Sequence, residues 1–361
     1  MNAKKTLSPK LAGLSQLLIP LIALAILLLF NLLRDPGFYA IGISQNNSGN
    51  PVFTGNLISI IDSASELAII AMGMTLVTAA CGGQDISVGA VGTISGSVFV
   101  ITLKSLGAIN IGTVLLAALA CCAVTVLFTA FNGTLVAVFK IQPMIATLIL
   151  FSCGRSIAYW IVGSATPQID SPIISAMGMT IPGIPIPTPV FGVLLVGLIL
   201  AAIFRFTSLR LYTQTVGINQ GAARLNGINP IVVKLLCFGV LGVCVTLASV
   251  IQIGRIGSLT QNTMLADIEM DAILAVAIGG NSLGGGKFRI SGTVLGAYVI
   301  ETLMTTLRSM NVDTSSIKAY KALAIIAVVV AGSPVIKALA SNLWKKIREQ
   351  VFVGTSKEAI R

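Results

Sequence analysis

The sequence predicts an all-α polytopic membrane protein with about ten transmembrane helices, some of them broken, and three observations predict it. Only 10% of the 361 residues are charged and 55% are hydrophobic, whereas a soluble domain carries roughly 25% charged residues to face water. Mean hydropathy is +0.95. The apolar residues also gather into runs near the length of about 20 that a helix needs to cross hydrocarbon.

Ten such runs are expected, at 11–33, 57–80, 86–103, 108–129, 143–163, 189–206, 231–251, 267–280, 290–308 and 320–340. The first follows Lys4, Lys5 and Lys10 as a signal peptide's apolar core would. It ends at Asn31 and Arg34 without a small-residue cleavage site, which predicts a retained helix. Charge fixes the expected sidedness. With an inside N-terminus and ten crossings, both termini are cytoplasmic. Of the 23 basic residues, Arg34, Lys104, Arg255, Arg308, Lys318 and Lys321 then lie outside and Arg155 lies within a helix. The other 16 lie inside, as the positive-inside rule requires.

The chain reads as one membrane domain over 1–361, with a core of 11–340, an inside loop at 207–230 and a tail at 341–361. The other long polar stretches, 34–56 and 164–188, are far shorter than the roughly 50 residues of an independent domain. The second holds Pro167, Pro172, Pro182, Pro185 and Pro187 and no basic residue, which predicts a stiff surface loop or a docking surface.

Composition excludes several function classes. With no His there is no imidazole base, Ser-His-Asp triad or His-ligated metal. Cys81, Cys121, Cys122, Cys153, Cys237 and Cys244 sit in apolar runs without metal-binding spacing and read as small buried hydrophobes. The net charge of +11 is scattered at the ends of apolar runs, as in membrane topology and unlike a nucleic-acid patch. Gly286-Lys287 fails as a Walker A motif because Asn281 occupies the first glycine position and Phe288 follows the lysine. No ATPase site is expected, nor any cofactor bound by this chain.

Two glycine-rich breaks carry more information. Cys81-Gly82-Gly83-Gln84-Asp85-Ile86-Ser87-Val88-Gly89 follows the second run, and Gly279-Gly280-Asn281-Ser282-Leu283-Gly284-Gly285-Gly286 follows the short eighth run. Gly-interrupted segments in both halves of a transporter point to broken helices beside a transport path. That marks Gly83, Asp85, Ser87 and Asn281 as path candidates. Gly92 with Gly96, and Gly292 with Gly296, have the spacing that lets helices pack closely.

Glu66, Arg155 and Glu301 are ionisable residues inside apolar runs. An unpaired charge costs about 2.5–3.5 kcal/mol or more there, so each either lines a path, couples transport to protons or pairs structurally. Asn132, Gln142 and Tyr159 add groups suited to hydroxyl-rich ligands. In the inside loop, Ala222–Leu225 is helix-prone, Gly227 is placed to end it and Pro230 to open the next helix. Gln220, Gly221, Ala222, Ala223, Arg224 and Gly227 therefore form a candidate lever against a partner protein.

Three stretches together carry a family resemblance. Gly83–Gly89 is similar to a G-x-D-L-S-V-G segment. Asn132-Gly133-Thr134-Leu135-Val136 followed by Gln142–Leu148 is similar to N-G-x-L-V and P-F-I-x-T-L segments. Glu269–Ile273 through Gly279–Gly286 is similar to E-L-D-A-I-A-x-V-x-x-G-G-x-S-L-x-G-G. In this order and spacing, over about 57–340, the chain resembles permease subunits of bacterial ABC importers for simple sugars, the ribose, xylose, galactose and galactofuranose branch. The resemblance implies a permease paired with itself or a related chain in the inner membrane, with separate cytoplasmic ATPase subunits that consume ATP and a periplasmic sugar-binding protein. It also implies that Gly221-Ala222-Ala223 is the coupling helix. Gly221 stands where many members carry Glu, leaving Arg224 as the charge available to an ATPase groove. An ion-coupled secondary sugar transporter is the alternative, with Glu66, Arg155 and Glu301 as its coupling groups.

Overall fold

The computed structural model describes residues 9–45, 51–163, 166–169, 171–181, 183–313, 316–323 and 326. In chain order they form α1 (Pro9–Arg34), β1 (Gly42–Gln45), β2 (Pro51–Thr54), α2 (Asn56–Cys81), α3 (Val88–Leu106), α4 (Ile111–Ala137) and α5 (Pro143–Val162). There follow α6 (Pro172–Gly178), α7 (Thr188–Phe206), α8 (Leu209–Ile218), α9 (Gln220–Leu225), α10 (Pro230–Ile256), α11 (Ile268–Ile278) and α12 (Ile290–Ser309). Residues 316–323 are again helical. Most of the tenth expected run, 320–340, and the whole tail 341–361 lie outside the described residues.

Local sequence sets the helix limits. Asn110 and Thr113 close a capping box at the start of α4, each side chain bonding the other's backbone N–H at 2.9 Å. The Asn229 side chain accepts from Ile231 N at 3.0 Å, and Pro230, with no N–H to leave unpaired, opens α10. Gly82 ends α2 in the left-handed conformation, φ 64°, its N–H returning to Thr78 O.

Seven helices among the described residues, α2, α3, α4, α5, α7, α10 and α12, are long and apolar enough to cross a membrane. The chain is a multi-pass α-helical membrane protein. In their most apolar stretches α2 is 94% buried while α4, α5 and α7 are 28%, 28% and 22% buried, which makes α2 the centre and the other three the periphery. α2 packs against α10, α12, α11, α7 and α8. Outward-facing Leu115, Leu119, Leu127, Ile145, Leu194 and Leu198 are exposed as a lipid-facing surface requires.

The connections fall on two faces. On the first, the hairpin β1–β2 pairs antiparallel, Phe53 N donates to Pro185 O at 3.2 Å, Gln168 bridges Ser258 and Arg34 Nη1 reaches Ser309 Oγ at 3.3 Å. Lys318 Nζ also bonds Asp267 Oδ2 there at 2.6 Å, and that hydrogen bond raises the ammonium above its ordinary pKa. The second face carries residues 82–87, 138–142, 207–229 and 279–289.

The structure departs from expectation in four places, one of them α4, which runs to Ala137, eight residues past the expected 129. Stretch 34–56 carries a two-stranded hairpin, and stretch 164–188 contains the short helix α6, opened by Pro172. α10 runs to Ile256, five residues past the expected 251, which brings Arg255 into its last turn. Both glycine-spaced pairs do serve close packing. A Cβ at Gly92 or Gly96 would strike the side chains of Leu265 or Met264, and one at Gly292 or Gly296 would strike the carbonyls of Gly279 or Ala275.

Gly292→Ala should therefore cost about 1–3 kcal/mol, since the backbone it meets cannot step aside. For a chain of this size that lowers the melting temperature of the purified protein by roughly 2–8 °C. Gly197→Ala, on α7 with nothing within 4 Å of the added methyl, should leave it unchanged.

Candidate functional site

The two glycine-rich breaks meet. Gly286 N donates to Ala79 O, in the last turn of α2, at 2.9 Å, and Gln84 Nε2 donates to Leu283 O at 3.2 Å. A Cβ on Gly82 would sit 2.8 Å from Gly284 O. Gly285 and Gly286, at φ 90° and 94°, take a backbone that side chains rarely adopt. Helix ends leave N–H and C=O groups without intrahelical partners. Here each break supplies partners for the other.

The first break is held from within. Asp85, Ser87, Asn132 and Thr147 are all fully buried. Asp85 Oδ1 accepts from Ser87 N at 2.7 Å and Ser87 Oγ at 2.6 Å, and Asn132 Nδ2 donates to Ser87 Oγ at 2.8 Å and Asp85 Oδ2 at 3.3 Å. Ile86 N reaches Thr147 Oγ1 at 3.1 Å. The loop is thus fastened to α4 and α5, with a carboxylate at its centre whose hydrogen bonds all lie within the protein. Gly83 packs on Pro143, which a Cβ would meet at 2.8 Å.

Asn281 pins the second break. Its Oδ1 accepts from Arg289 N at 2.6 Å, and its Nδ2 donates to Thr293 Oγ1 at 2.9 Å and to Val276 O at 3.3 Å. It therefore caps the end of α11 and the start of α12 together. Thr293 Oγ1 in turn meets Thr75 Oγ1 of α2 at 2.7 Å.

The remaining candidates lie apart. Arg155 is half-buried and Nη1 donates to Gln261 O at 2.7 Å, Met264 O at 3.1 Å and Thr93 Oγ1 at 3.2 Å, clamping the segment between α10 and α11 onto α3 and α5. Gln142 stands just before α5, makes no side-chain cap bond to it and is exposed. Tyr159 is half-buried one turn beyond Arg155. Toward the hairpin face, Arg255 meets Glu66 Oε1 at 3.3 Å and Asp62 Oδ1 at 3.1 Å, and the half-buried Glu301 has its Oε2 without a hydrogen-bond partner among the described residues. Sequence reasoning missed Asp62 and Arg255. The four-residue spacing of Asp62 and Glu66 on one helix face was the available signal, whereas Arg255 was hidden by the underestimated length of α10.

The 207–230 loop folds as α8 and α9. Asn219 accepts from Ala222 N at 3.0 Å to start α9, and Gly227 follows it at φ 74°. Ala223 is buried, while Gln220, Gly221, Ala222, Arg224 and Gly227 are exposed. Around them Phe206, Ile218 and Leu225 are 85%, 66% and 91% exposed, an apolar patch that fits a partner surface. Gly217 was also missed. A methyl there would run into Ala79 O and Gly286 N, the same two groups that join the breaks. The exposed helix pair thus rests directly on the junction.

The site is thus two glycine-rich connections that meet beside an exposed helix pair of a multi-pass membrane protein. The chain belongs to the family described as the permease component of the branched-chain amino acid transport system, whose pattern matches residues 56–338. It is 34% identical to the galactofuranose transporter permease protein YtfT of Escherichia coli strain K12 over 87% of this chain and 88% of that one. It is 31% identical to the fructose import permease protein FruF of Bifidobacterium longum strain NCC 2705, over 90% of each chain. It is also 31% identical to the ribose import permease protein RbsC of E. coli strain K12, over 81% of this chain and 86% of that one. No solved structure matches the chain.

Gly217→Ala should lower transport roughly tenfold, because an overpacking cost of about 1–3 kcal/mol falls on the junction. Gly221→Ala, whose methyl meets nothing nearer than Asn219 Oδ1 at 3.3 Å, should transport normally. Uptake by cells with matched membrane amounts of each variant measures the difference.

Proposed function

We propose that this chain is the permease subunit of an ATP-binding-cassette importer for a simple sugar. It sits in the inner membrane with ten crossings and both termini in the cytoplasm. Sugar import rests on the relatives, whose names cover galactofuranose, fructose and ribose permeases over most of this chain. The cytoplasmic placement of α8 and α9 is supported by the basic residues, 16 of 23 of which fall on that side when the termini do.

The observation that carries the mechanism is the seat of Gly217 against Ala79 and Gly286. Cytoplasmic ATPase subunits that close on ATP grip the exposed surface around Leu225 and Arg224. Their motion passes through α8 to the ends of α2 and α11, because backbone packed against backbone has no soft side chain to absorb it. The two breaks shift together and the bundle exchanges an outward opening for an inward one. A periplasmic binding protein delivers the sugar on the hairpin face, and a second permease, a copy or a relative, completes the path. ATP is spent by the partners. Among the path candidates, Asp85, Ser87, Asn132 and Asn281 act here by fixing the breaks. Gly83, Gln142, Arg155, Tyr159 and Glu301 remain candidate lining residues. No observation favours the ion-coupled alternative.

Deletion of residues 220–227 should abolish sugar uptake while the chain still inserts and accumulates in the membrane, as measured by labelled-sugar uptake and membrane immunoblotting. Uptake that survives the deletion would contradict the coupling assignment. Leu225→Asp should reduce uptake without changing the amount of chain in the membrane, because a charge then replaces the exposed apolar contact.

A further inference from the structure

We infer that the permease itself holds a monosaccharide subsite on its hairpin face, above the Asp62–Arg255–Glu66 cluster. The inference rests on the sugar-import function proposed above and adds a place and a chemistry to it. A cavity of about 270 Å³ opens between β2, the first turns of α2, the end of α6 and the last turn of α10. A space of that size takes one sugar ring.

Its wall combines what a neutral polyol needs. Asp62 offers only acceptors and Arg255 only donors. Hydroxyls both donate and accept, so a sugar satisfies the two side by side. Ser59 and Thr54 add hydroxyls, and Phe53 and Met179 add apolar surface for the carbon-bound hydrogens of a ring. At the wall one carboxylate, Asp62, and one guanidinium, Arg255, offset each other at 3.1 Å, which suits a neutral guest. Asp62 Oδ1 and Glu66 Oε1 pair with Arg255 at 3.1 and 3.3 Å and are buried, as is Arg255 Nε, so a sugar meets the parts of Asp62 and Arg255 that line the cavity. Glu66 is itself only 6% exposed.

The position gives the subsite a role. Glu66 lies one helical turn deeper than Asp62, so the Arg255–Glu66 pair joins α10 to α2 beneath the cavity. A sugar received above it goes inward only when α2 and α10 separate. Gly178 and Gly254 pack backbone to backbone where α6 crosses α10, with Gly178 N 2.6 Å from a Cβ placed on Gly254. The cavity rim therefore moves with α10.

The test uses the full-length chain in nanodiscs with ribose, fructose and galactose as probes, each read by saturation-transfer NMR. At least one sugar should give a signal from the wild type. Ser59→Trp, a change at an exposed cavity residue away from the ion pairs, should remove that signal with the melting temperature unchanged. Arg255→Lys, which keeps the charge and loses the planar fork, should weaken it at least several-fold. Absence of signal from all three sugars, or an undiminished signal in Ser59→Trp, would overturn the subsite. ATP-driven uptake by the assembled importer separates the two claims. A wild type that imports none of the three sugars speaks against the import function, whereas normal wild-type uptake matched by Ser59→Trp speaks against the subsite alone.

Discussion

Two glycine-rich connections meet at one face of the bundle and must pair each other's backbone groups, and the rest of the structure depends on how the ends of α2 and α11 meet that demand. α2 ends at Gly82 and α11 at Gly279. Gly286 gives its N–H to Ala79 O, Asn281 caps both sides of the second break, and Asp85, Ser87 and Asn132 close the first. Glycine is required because the chains touch through their backbones, and any side chain at Gly82 or Gly217 would force them apart. Leaving one such group unpaired in a low-dielectric interior costs several kcal/mol. The junction is thus well fixed and allows few alternative arrangements.

That constraint explains why so much of the bundle is organised around α2. The central helix is buried on all sides from Ala64 to Ala80, and it carries the junction at one end and the Asp62–Glu66–Arg255 cluster toward the other. In the proposed mechanism a displacement of α8 acts on the first end and separation of α2 from α10 opens the second, so that one helix joins the two faces as alternating access requires.

Much of the fold was legible because hydrophobic run length is a strong signal. Nine of the ten expected runs have helices within the described residues, the tenth is helical at 320–323 where it is described, and both breaks fall where the glycines cluster. The hairpin and α6 were not legible, since they lie in water-facing stretches where apolar periodicity carries no weight. The site was legible only in part. Asp85, Ser87 and Asn132 were marked one by one, but their mutual bonding is a contact between α4 and a loop some 45 residues away, which a single sequence does not encode locally. Gly217 looked like an ordinary loop residue because its importance lies in what touches it. Arg255 looked like an outside loop charge because nothing local marks the last turn of α10.

The measurement that tests the central claim most directly is purification of this chain from its native membrane in mild detergent, with mass spectrometry of whatever accompanies it and reconstitution into vesicles. Energy transmitted through α8 from outside the chain predicts a stoichiometric ATPase carrying its own Walker A motif, and sugar movement that requires ATP. A chain that emerges alone and moves sugar in vesicles on an ion gradient without ATP would contradict it.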